Sequence, residues 1–318
     1  MQVETIKGPI DTSELGVTLM HEHLFFLSEG VHQAFPSIWG PEAQKAAIGE
    51  NVRLLKDLAS RGVETVVDCT VFGEGRRIDL LQQVAQQAPV NIVVATGVYT
   101  FDPLPHYFLW PSRDPDHMAS LLVRDIEQGI GDTGVKASIL KCATDQLGVT
   151  PNVEKVLRAT ARAHLRTGVP IYTHTHAATE QGLAQQAIFK AEGVDLGRVI
   201  IGHAGDSEDV EYLTKLVEAG SYIGMDRWGI DMFLPFEKRV AMVAKMCELG
   251  YAERMVQSHD FCYYVDAFPM EERSKIHPRW SHNLIFEEAI PALREAGVTD
   301  AQIHQMMVEN PRKIFQGR

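Results

Sequence analysis

Two pairs of histidines, each at the end of an apolar segment, are the residues of this sequence with the plainest potential for chemistry. His21 and His23 end the segment VTLMHEH, and His174 and His176 end the segment PIYTHTH. Side chains two residues apart in a strand point to the same side, so both imidazoles of a pair can reach one metal ion. With 13 histidines in the chain, roughly half an HxH is expected by chance, so each pair alone could equally be structural.

A lysine inside an apolar segment is the most unusual residue. Lys141 interrupts ASILKCAT, where a buried ammonium group would be costly. Such a lysine must be paired, held neutral or chemically modified. A neutral lysine can react with carbon dioxide to give a carbamate, whose oxygens could bridge two cations. The simpler alternative is a side chain that extends from the strand end to solvent.

Two more potential ligands end apolar segments further along the chain. His203 ends VIIGHAG and Asp260 ends RMVQSHD. Singly, they could be a hydrogen-bonded core histidine and a helix N-cap. Four imidazoles, one carboxylate and a buried lysine together form a donor set that suits zinc or a similar divalent ion. The candidate metal ligands are His21, His23, Lys141, His174, His203 and Asp260.

Eight short apolar segments, and the helical patterns between them, predict the fold. The segments are continuous rather than alternating, as expected of parallel strands that are buried on both faces. They cover residues 17–23, 63–70, 91–99, 137–144, 170–176, 199–205, 221–227 and 254–260. Helical patterns, each followed by a glycine that can end a helix, cover residues 40–61, 152–167, 178–192, 208–219 and 236–249.

The repeated strand–helix units predict an α/β fold, a (β/α)8 TIM barrel, with a short N-terminal extension of about ten residues that forms a hairpin or strand outside it. No glycine-rich phosphate loop follows the first strand, which disfavours a dinucleotide-binding sheet. No linker interrupts the chain, so we expect one domain over residues 1–318. Barrel enzymes carry their chemistry at the C-terminal ends of the strands, where the six candidate ligands stand. Further polar residues at these ends are Tyr99, Asp226, Arg227 and His259.

Composition and charge argue against several classes of protein. The chain has 318 residues, 45% of them hydrophobic, and a net charge of −12, which argues against binding to nucleic acid. No apolar segment approaches the roughly 18 residues that span a bilayer, and the first residues lack the pattern of a signal peptide. The four scattered cysteines show no CxxC spacing, which favours the cytoplasm.

Six motifs, in their order and at their intervals, resemble the phosphotriesterase family of the amidohydrolase superfamily, and its phosphotriesterase-like lactonases most closely. They are LMHEH at 19–23, ILKCATD at 139–145, THTH at 173–176, IGHAGDS at 201–207, GMDRWG at 224–229 and SHD at 258–260. The resemblance covers nearly the whole chain, and the full set is far more specific than any one motif.

The resemblance implies a role for each candidate ligand. The more buried of two divalent metal ions would be held by His21, His23 and Asp260, and the more exposed one by His174 and His203. Lys141, as N6-carboxylysine formed with carbon dioxide, would bridge the two ions, and a bridging hydroxide would be the nucleophile. Zinc suits this site best, whereas cobalt, iron and manganese also fit. The family pattern further implies a homodimer.

Two features favour the lactonases over true phosphotriesterases within this resemblance. The stretch after the seventh strand, residues 225–239, is short and carries Arg227 and Trp228, whereas true phosphotriesterases have a long insertion there. Tyr99 matches a tyrosine that lies over the metal centre in the lactonases. The resemblance therefore implies an enzyme that opens lactones such as N-acyl-homoserine lactones, a quorum-quenching activity, with promiscuous phosphotriesterase activity.

The implied mechanism gives roles to residues around the metal ions. Asp260 would accept the proton of the hydroxide and pass it to the leaving alkoxide. Tyr99 would orient the substrate or protonate the leaving oxygen, and Arg227 would order the rim. Residues 261–281 follow the last strand at the active-site mouth, and loop packing is the simpler explanation for their aromatic side chains. The small-molecule substrate would be bound by Tyr99, Arg227, Trp228, Phe261, Tyr263 and Trp280.

Two other functions stay open. The first is a phosphotriesterase (aryldialkylphosphatase) or another ester or amide hydrolase of the same superfamily. A panel of lactones, phosphotriesters and cyclic amides would separate these from a lactonase. The second is a barrel that stores metal or binds a partner without catalysis. A storage site needs no aspartate placed for proton transfer, which disfavours that alternative.

Overall fold

Nine parallel strands form one curled sheet in the computed structural model, which describes residues 1–317. The strands, with two that form an N-terminal hairpin, are β1 Gln2–Thr5, β2 Gly8–Asp11, β3 Val17–Phe26, β4 Val63–Asp68, β5 Asn91–Gly97, β6 Ile139–Thr144, β7 Ile171–Thr175, β8 Val199–Ile201, β9 Tyr222–Met225, β10 Met255–Gln257 and β11 Cys262–Val265. Their order in the sheet is β10-β9-β8-β7-β6-β5-β4-β3-β11. Each strand from β3 to β10 therefore lies beside the next one in the chain, which confirms the predicted α/β barrel.

Helices pack on the outside of this sheet. They are α1 Glu29–Ala34, α2 Pro41–Ser60, α3 Ile78–Ala85, α4 His106–Leu109, α5 Pro115–Glu127, α6 Pro151–Thr167, α7 Gln181–Ala191, α8 Val210–Glu218, α9 Phe236–Glu248, α10 Arg273–Ile276, α11 Ile290–Glu295, α12 Asp300–His304 and α13 Asn310–Gln316. The five predicted helices are confirmed as α2, α6, α7, α8 and α9. At α6, Thr150 Oγ1 accepts a hydrogen bond from the Val153 N–H at 3.3 Å, as a helix N-terminus favours. Among the described residues, no helix is both long and apolar enough to cross a membrane.

The eighth barrel strand is divided, which differs from the single segment that the sequence predicted. Its first part, β10, pairs with β9, and its second part, β11, pairs with β3. Between the two parts the main chain closes the barrel. The Asp260 N–H donates to His21 O at 3.1 Å, and the His23 N–H donates to Phe261 O at 2.9 Å. The start of the segment 261–281 is therefore part of the sheet.

Inside the barrel, apolar side chains form a core that is separate from the larger core between the strands and the helices. Ile139 on β6 and Tyr172 on β7 belong to this inner core. Because every second residue of a strand faces the same side, Lys141 and His174 follow them on the inner face, toward the C-terminal ends of the strands. The apolar pattern thus places the polar strand ends in one chamber.

The N-terminal hairpin closes the other end of the barrel and confirms the predicted extension. The Ile6 N–H donates to Ile92 O at 2.9 Å, and the Glu4 N–H donates to Ser138 Oγ at 2.9 Å. Both acceptors lie near the starts of strands. Val3 packs into the inner core. The hairpin therefore covers the N-terminal end of the barrel, away from the candidate ligands.

Candidate metal centre

The structure brings all six predicted ligands to one cavity at the C-terminal ends of the strands. Two of them come from β3, one each from β6 and β7, and one each from the turns after β8 and β10. The cavity has a volume of about 170 Å³. The predicted ligands that line it are His21, His23, Lys141, His174, His203 and Asp260.

Three donor atoms in this cavity have a spacing that suits a single cation. Asp260 Oδ1 lies 3.4 Å from His21 Nε2 and 3.3 Å from His23 Nε2. A tetrahedral zinc ion with ligand bonds of about 2.0 Å separates its ligands by about 3.3 Å. These three side chains therefore fit the coordination shell of one metal ion.

A second group of donors lies beside the first. The rings of His174 and His203 meet edge to face with 4.6 Å between their centroids, and His203 Nε2 lies 3.8 Å from Asp260 Oδ2. Burial lowers the pKa of His174, so its imidazole is neutral and able to bind metal at neutral pH. Lys141 Nζ lies 2.7 Å from His21 Nε2. The lysine therefore points into the cavity rather than to solvent.

Asp226 contacts two of the predicted histidine ligands, His21 and His203, through Nδ1, the ring nitrogen on the side away from the other ligands. Its carboxylate lies 3.0 Å from His203 Nδ1 and 3.4 Å from His21 Nδ1, and it accepts a hydrogen bond from the Tyr172 hydroxyl at 2.6 Å. A carboxylate at Nδ1 fixes the tautomer that leaves Nε2 free to bind a metal. The strand pattern placed Asp226 at the rim without assigning it a role.

Replacing Asp226 by asparagine is expected to weaken metal binding by about 10- to 100-fold, the usual effect of losing an outer-shell carboxylate. The new amide would face imidazole N–H groups with a donor of its own. Competition with a chelator of known affinity measures the change. Tyr172→Phe, which removes only one of the groups that donate to Asp226, is the matched control and should retain more of the affinity. Wild-type metal affinity in Asp226→Asn would contradict this role.

Two of the predicted ligands stand in strained backbone. His203 has a φ of +59° and Asp260 a φ of +53°, and they are two of only three non-glycine residues with positive φ among the described residues. Each such residue costs on the order of 1–3 kcal/mol unless its surroundings hold it. The strain is thus concentrated where the main chain leaves β8 and β10 and presents a ligand to the cavity.

Glu22 holds the turn that carries Asp260. It stands between the two histidines of β3 and, through strand alternation, points to the other side of the strand. Its Oε1 accepts hydrogen bonds from Ser258 Oγ at 2.6 Å and from the His259 N–H at 2.9 Å. Its Oε2 accepts one from the Phe261 N–H at 3.2 Å. The middle residue of the His–Glu–His motif therefore supports a ligand from the far end of the chain.

Replacing Glu22 by alanine is expected to lower the free energy of unfolding by about 3 kcal/mol, because several buried donors lose their acceptor at a cost of about 1–3 kcal/mol each. Chemical denaturation of the metal-free protein measures this loss. Glu42→Ala, at an exposed position of α2, is the control and should leave stability nearly unchanged. An unfolding free energy in Glu22→Ala equal to that of the control would show that the turn is held by other contacts.

Arg227 links Asp260 to a second acidic residue. Its Nε donates to Asp260 Oδ2 and its Nη1 donates to Asp206 Oδ2, both at 2.9 Å. Arg239 Nη2 donates to the other oxygen of Asp206 at 2.8 Å.

Burial acts to raise the pKa of Asp260, but His203 and further basic neighbours, Arg227 among them, hold that pKa well below its usual value. The carboxylate is therefore ionised at neutral pH. Nothing in the sequence pattern singled out Asp206 or Arg239.

Three of the six residues predicted to bind the substrate line the cavity. They are Tyr99, Arg227 and Trp280. The Tyr99 ring meets that of His174 edge to face at 5.4 Å. Four further lining residues were not predicted, because apolar and single acidic side chains near strand ends carry no distinctive pattern. They are Phe26, Glu74, Ile230 and Cys262.

The other three residues predicted to bind the substrate are not among those that line the cavity. Trp228 is fully buried, and its indole N–H donates to Gln257 Oε1 at 2.7 Å. Tyr263 is fully buried as well, and Phe261 packs edge to face on Trp280 with 5.2 Å between the ring centroids. The prediction of Phe261 and Tyr263 at the cavity rests on a loop after the last strand. The segment begins instead as strand β11, so side chains alternate: Cys262 lines the cavity, whereas Phe261 and Tyr263 pack in the core outside the barrel.

Comparison with known proteins agrees with this geometry. The model of the phosphotriesterase family matches residues 1–315. A phosphotriesterase homology protein of Mycobacterium tuberculosis is 54% identical over 320 residues, which cover 99% of this chain and 98% of that protein. An aryldialkylphosphatase of Saccharolobus solfataricus is 42% identical over 313 residues, which cover 97% of this chain and 98% of that protein.

A solved structure is also similar over its full length. The structure of the phosphotriesterase from Mycobacterium tuberculosis has a TM-score of 0.96 and 52% sequence identity, and the match covers 100% of this chain and 99% of that one. These findings confirm the resemblance to the phosphotriesterase family and, with it, the prediction of a metal-dependent hydrolase. The chain belongs to the phosphotriesterase family.

Proposed function

We propose that this protein is a lactonase with two divalent metal ions, that N-acyl-homoserine lactones are its expected substrates, and that it hydrolyses phosphotriesters as a side activity. The observation that supports this best is the wall of the cavity. The Tyr99 phenol and the Arg227 guanidinium share that wall with the apolar side chains of Phe26, Ile230 and Trp280. A few polar anchors among apolar surface suit a ring ester that carries an acyl chain.

The six ligands divide between two proposed metal positions. Two bound divalent ions would supply an activated water at neutral pH and polarise the carbonyl oxygen of the substrate. We propose zinc, with cobalt, iron and manganese as alternatives. Lys141, modified by carbon dioxide to N6-carboxylysine, would be a ligand at both positions. The remaining ligands would be His21, His23 and Asp260 at one position and His174 and His203 at the other.

Asp260 is the residue that we propose moves the proton. It accepts a proton from the attacking water and passes it to the leaving alkoxide. Arg227, which is itself held by Asp206, keeps the carboxylate oriented. Burial raises the pKa of Tyr99, so its phenol stays protonated at neutral pH and can donate a hydrogen bond to the substrate.

Metal analysis of the purified protein, combined with kinetics on homoserine lactones of increasing acyl length, tests this function. We expect the highest kcat/KM for lactones, lower values for phosphotriesters and cyclic amides, and loss of every activity when a chelator removes the metal. If a phosphotriester is the best substrate, the lactonase assignment fails while the metal-dependent hydrolase stands.

One observation favours a second candidate function. The relative from Saccharolobus solfataricus bears the name aryldialkylphosphatase and is 42% identical over 97% of this chain. A phosphotriesterase would use the same ligands and the same proton acceptor. The two candidates differ in the relative kcat/KM for lactones and phosphotriesters, which the panel above measures.

We further propose that the protein acts in the cytoplasm as a homodimer. Its four cysteines are all buried and unpaired, which suits a reducing compartment. The dimer is implied by the family resemblance. Light scattering on the purified protein gives the mass in solution, and a monomeric mass would exclude the dimer.

A further inference from the structure

A glutamate that no role yet explains lines the same cavity as the candidate ligands. Glu74 lies in the loop after β4, is 1% exposed, and contributes to the cavity wall with His23 and Tyr99. It is not one of the six predicted ligands. A buried carboxylate is costly unless it is paired or hydrogen-bonded, so its position calls for a partner.

The loop around Glu74 packs closely against its neighbours. The glycines on either side, Gly73 and Gly75, have φ values of +101° and +71°, which side chains rarely adopt. A Cβ would lie 2.7 Å from the Phe101 ring at Gly73 and 2.5 Å from Leu27 Cβ at Gly75. The Leu27 N–H also donates to Glu74 O at 2.9 Å. The Gly–Glu–Gly sequence therefore fixes the glutamate between two close contacts.

The carboxylate of Glu74 has spare capacity as an acceptor. In the described part of the chain, its Oε2 accepts a hydrogen bond from the Val71 N–H at 3.0 Å. It forms no ion pair with a lysine, arginine or histidine in the described part of the chain. A carboxylate can accept about four hydrogen bonds, so Oε1 is available to a donor that enters the cavity.

We propose that Glu74 is a specificity-determining residue that accepts a hydrogen bond from an N–H group of the substrate, next to the carbonyl that is attacked. This inference rests on the proposed lactonase function, because an α-acylamino lactone carries such an N–H one carbon from its ring carbonyl. Glu74 contributes to this wall beside His23 and Tyr99, and its carboxylate retains acceptor capacity. An N–H donor of the substrate can therefore be satisfied there.

Binding of a matched pair of lactams to the metal-loaded protein tests the proposal without any turnover. One probe is a γ-lactam with an acylamino group beside the ring carbonyl, and the other differs only by a methyl group on that side-chain amide nitrogen. Lactams resist ring opening, so calorimetry gives dissociation constants for both. A hydrogen bond to a charged acceptor corresponds to about 10- to 100-fold in affinity, so we expect the wild type to prefer the N–H probe by this factor.

Variants assign that preference to one side chain. In Glu74→Leu the ratio of the two dissociation constants should fall close to one, and in Glu74→Gln it should be intermediate, because the amide oxygen still accepts. Glu29→Gln is the matched control. Glu29, at the start of α1, is exposed and accepts a hydrogen bond from the Gly73 N–H at 3.2 Å, so it contacts the same loop but should leave the ratio unchanged.

Each remaining outcome has a definite meaning. Equal binding of both lactams by the wild type, or binding of neither, overturns the proposal. A ratio in Glu74→Leu that equals the wild-type ratio also overturns it. Loss of bound metal in Glu74→Leu would instead make Glu74 a support of the metal centre. If the wild type prefers the N–H lactam but opens no lactone, the lactonase function fails while the role of Glu74 stands.

Discussion

Replacing Lys141 by methionine is expected to remove bound metal and hydrolytic activity together, with kcat/KM falling by at least about 10³-fold, since metal-ion catalysis supplies several kcal/mol of transition-state stabilisation. Lys141 is 1% exposed and lies among the imidazoles of the cavity. Methionine has a similar length and no charge, so the variant isolates the amino group from the packing of the side chain.

Three measurements make this result specific to a carbamate. Elemental analysis gives the metal content, and a carbon-13 resonance from labelled carbon dioxide reports the carbamate in the wild type. A short carboxylate added to the variant should restore part of both metal and activity, because it replaces the missing anionic ligand. Lys190→Met, at an exposed position of α7, is the control. Near-wild-type turnover by Lys141→Met without added carboxylate would rule out the carbamate.

Replacing Asp260 by asparagine is expected to lower kcat for lactones by about 10²- to 10⁴-fold, the range attributed to a positioned proton acceptor. The amide preserves volume but removes the charge that faces His21 and His23 and that accepts the hydrogen bond from Arg227. Assays with excess metal keep the sites filled, so that the remaining loss reports on proton transfer.

The choice of substrate separates proton transfer from metal binding. An aryl ester with an acidic phenol as leaving group needs no proton, so Asp260→Asn should lose less activity toward it than toward a lactone. Asp206→Asn is the matched control, because it leaves the Asp260 carboxylate in place and changes the acceptor that Arg227 shares with Arg239. Equal losses for both substrates would mean that Asp260 acts through the metal alone.

The strand pattern predicted those parts of the site that lie on the inner face of the barrel strands. Lys141 and His174 are in phase with the apolar inner residues two positions before them, so their position follows from alternation. The same alternation places Cys262 at the cavity and Phe261 and Tyr263 in the surrounding core. It could not be applied to them in advance, because no pattern in the mouth segment predicted that residues 262–265 form a strand.

The supports of the site could not be predicted for a different physical reason. Glu22 and Asp226 each look like an ordinary acidic residue, and their roles come from partners far away in the chain. The contact between His21 Nδ1 and the Asp226 carboxylate spans 205 residues, and the hydrogen bond that Ser258 donates to Glu22 spans 236. Without knowledge of which segments meet, neither carboxylate differs from one on the surface.

The divided eighth strand has a consequence for the order in which the molecule becomes functional. Asp260 takes its place only when the last strand meets β3, since its N–H is bonded to His21 O and Ser258 Oγ accepts from the His21 N–H across 237 residues. Contacts so distant in sequence form late, because a long loop must be closed first. A growing chain on the ribosome would therefore carry five ligands and no complete site. Tight metal binding is then possible only after the barrel has closed, and it stabilises only that closed state.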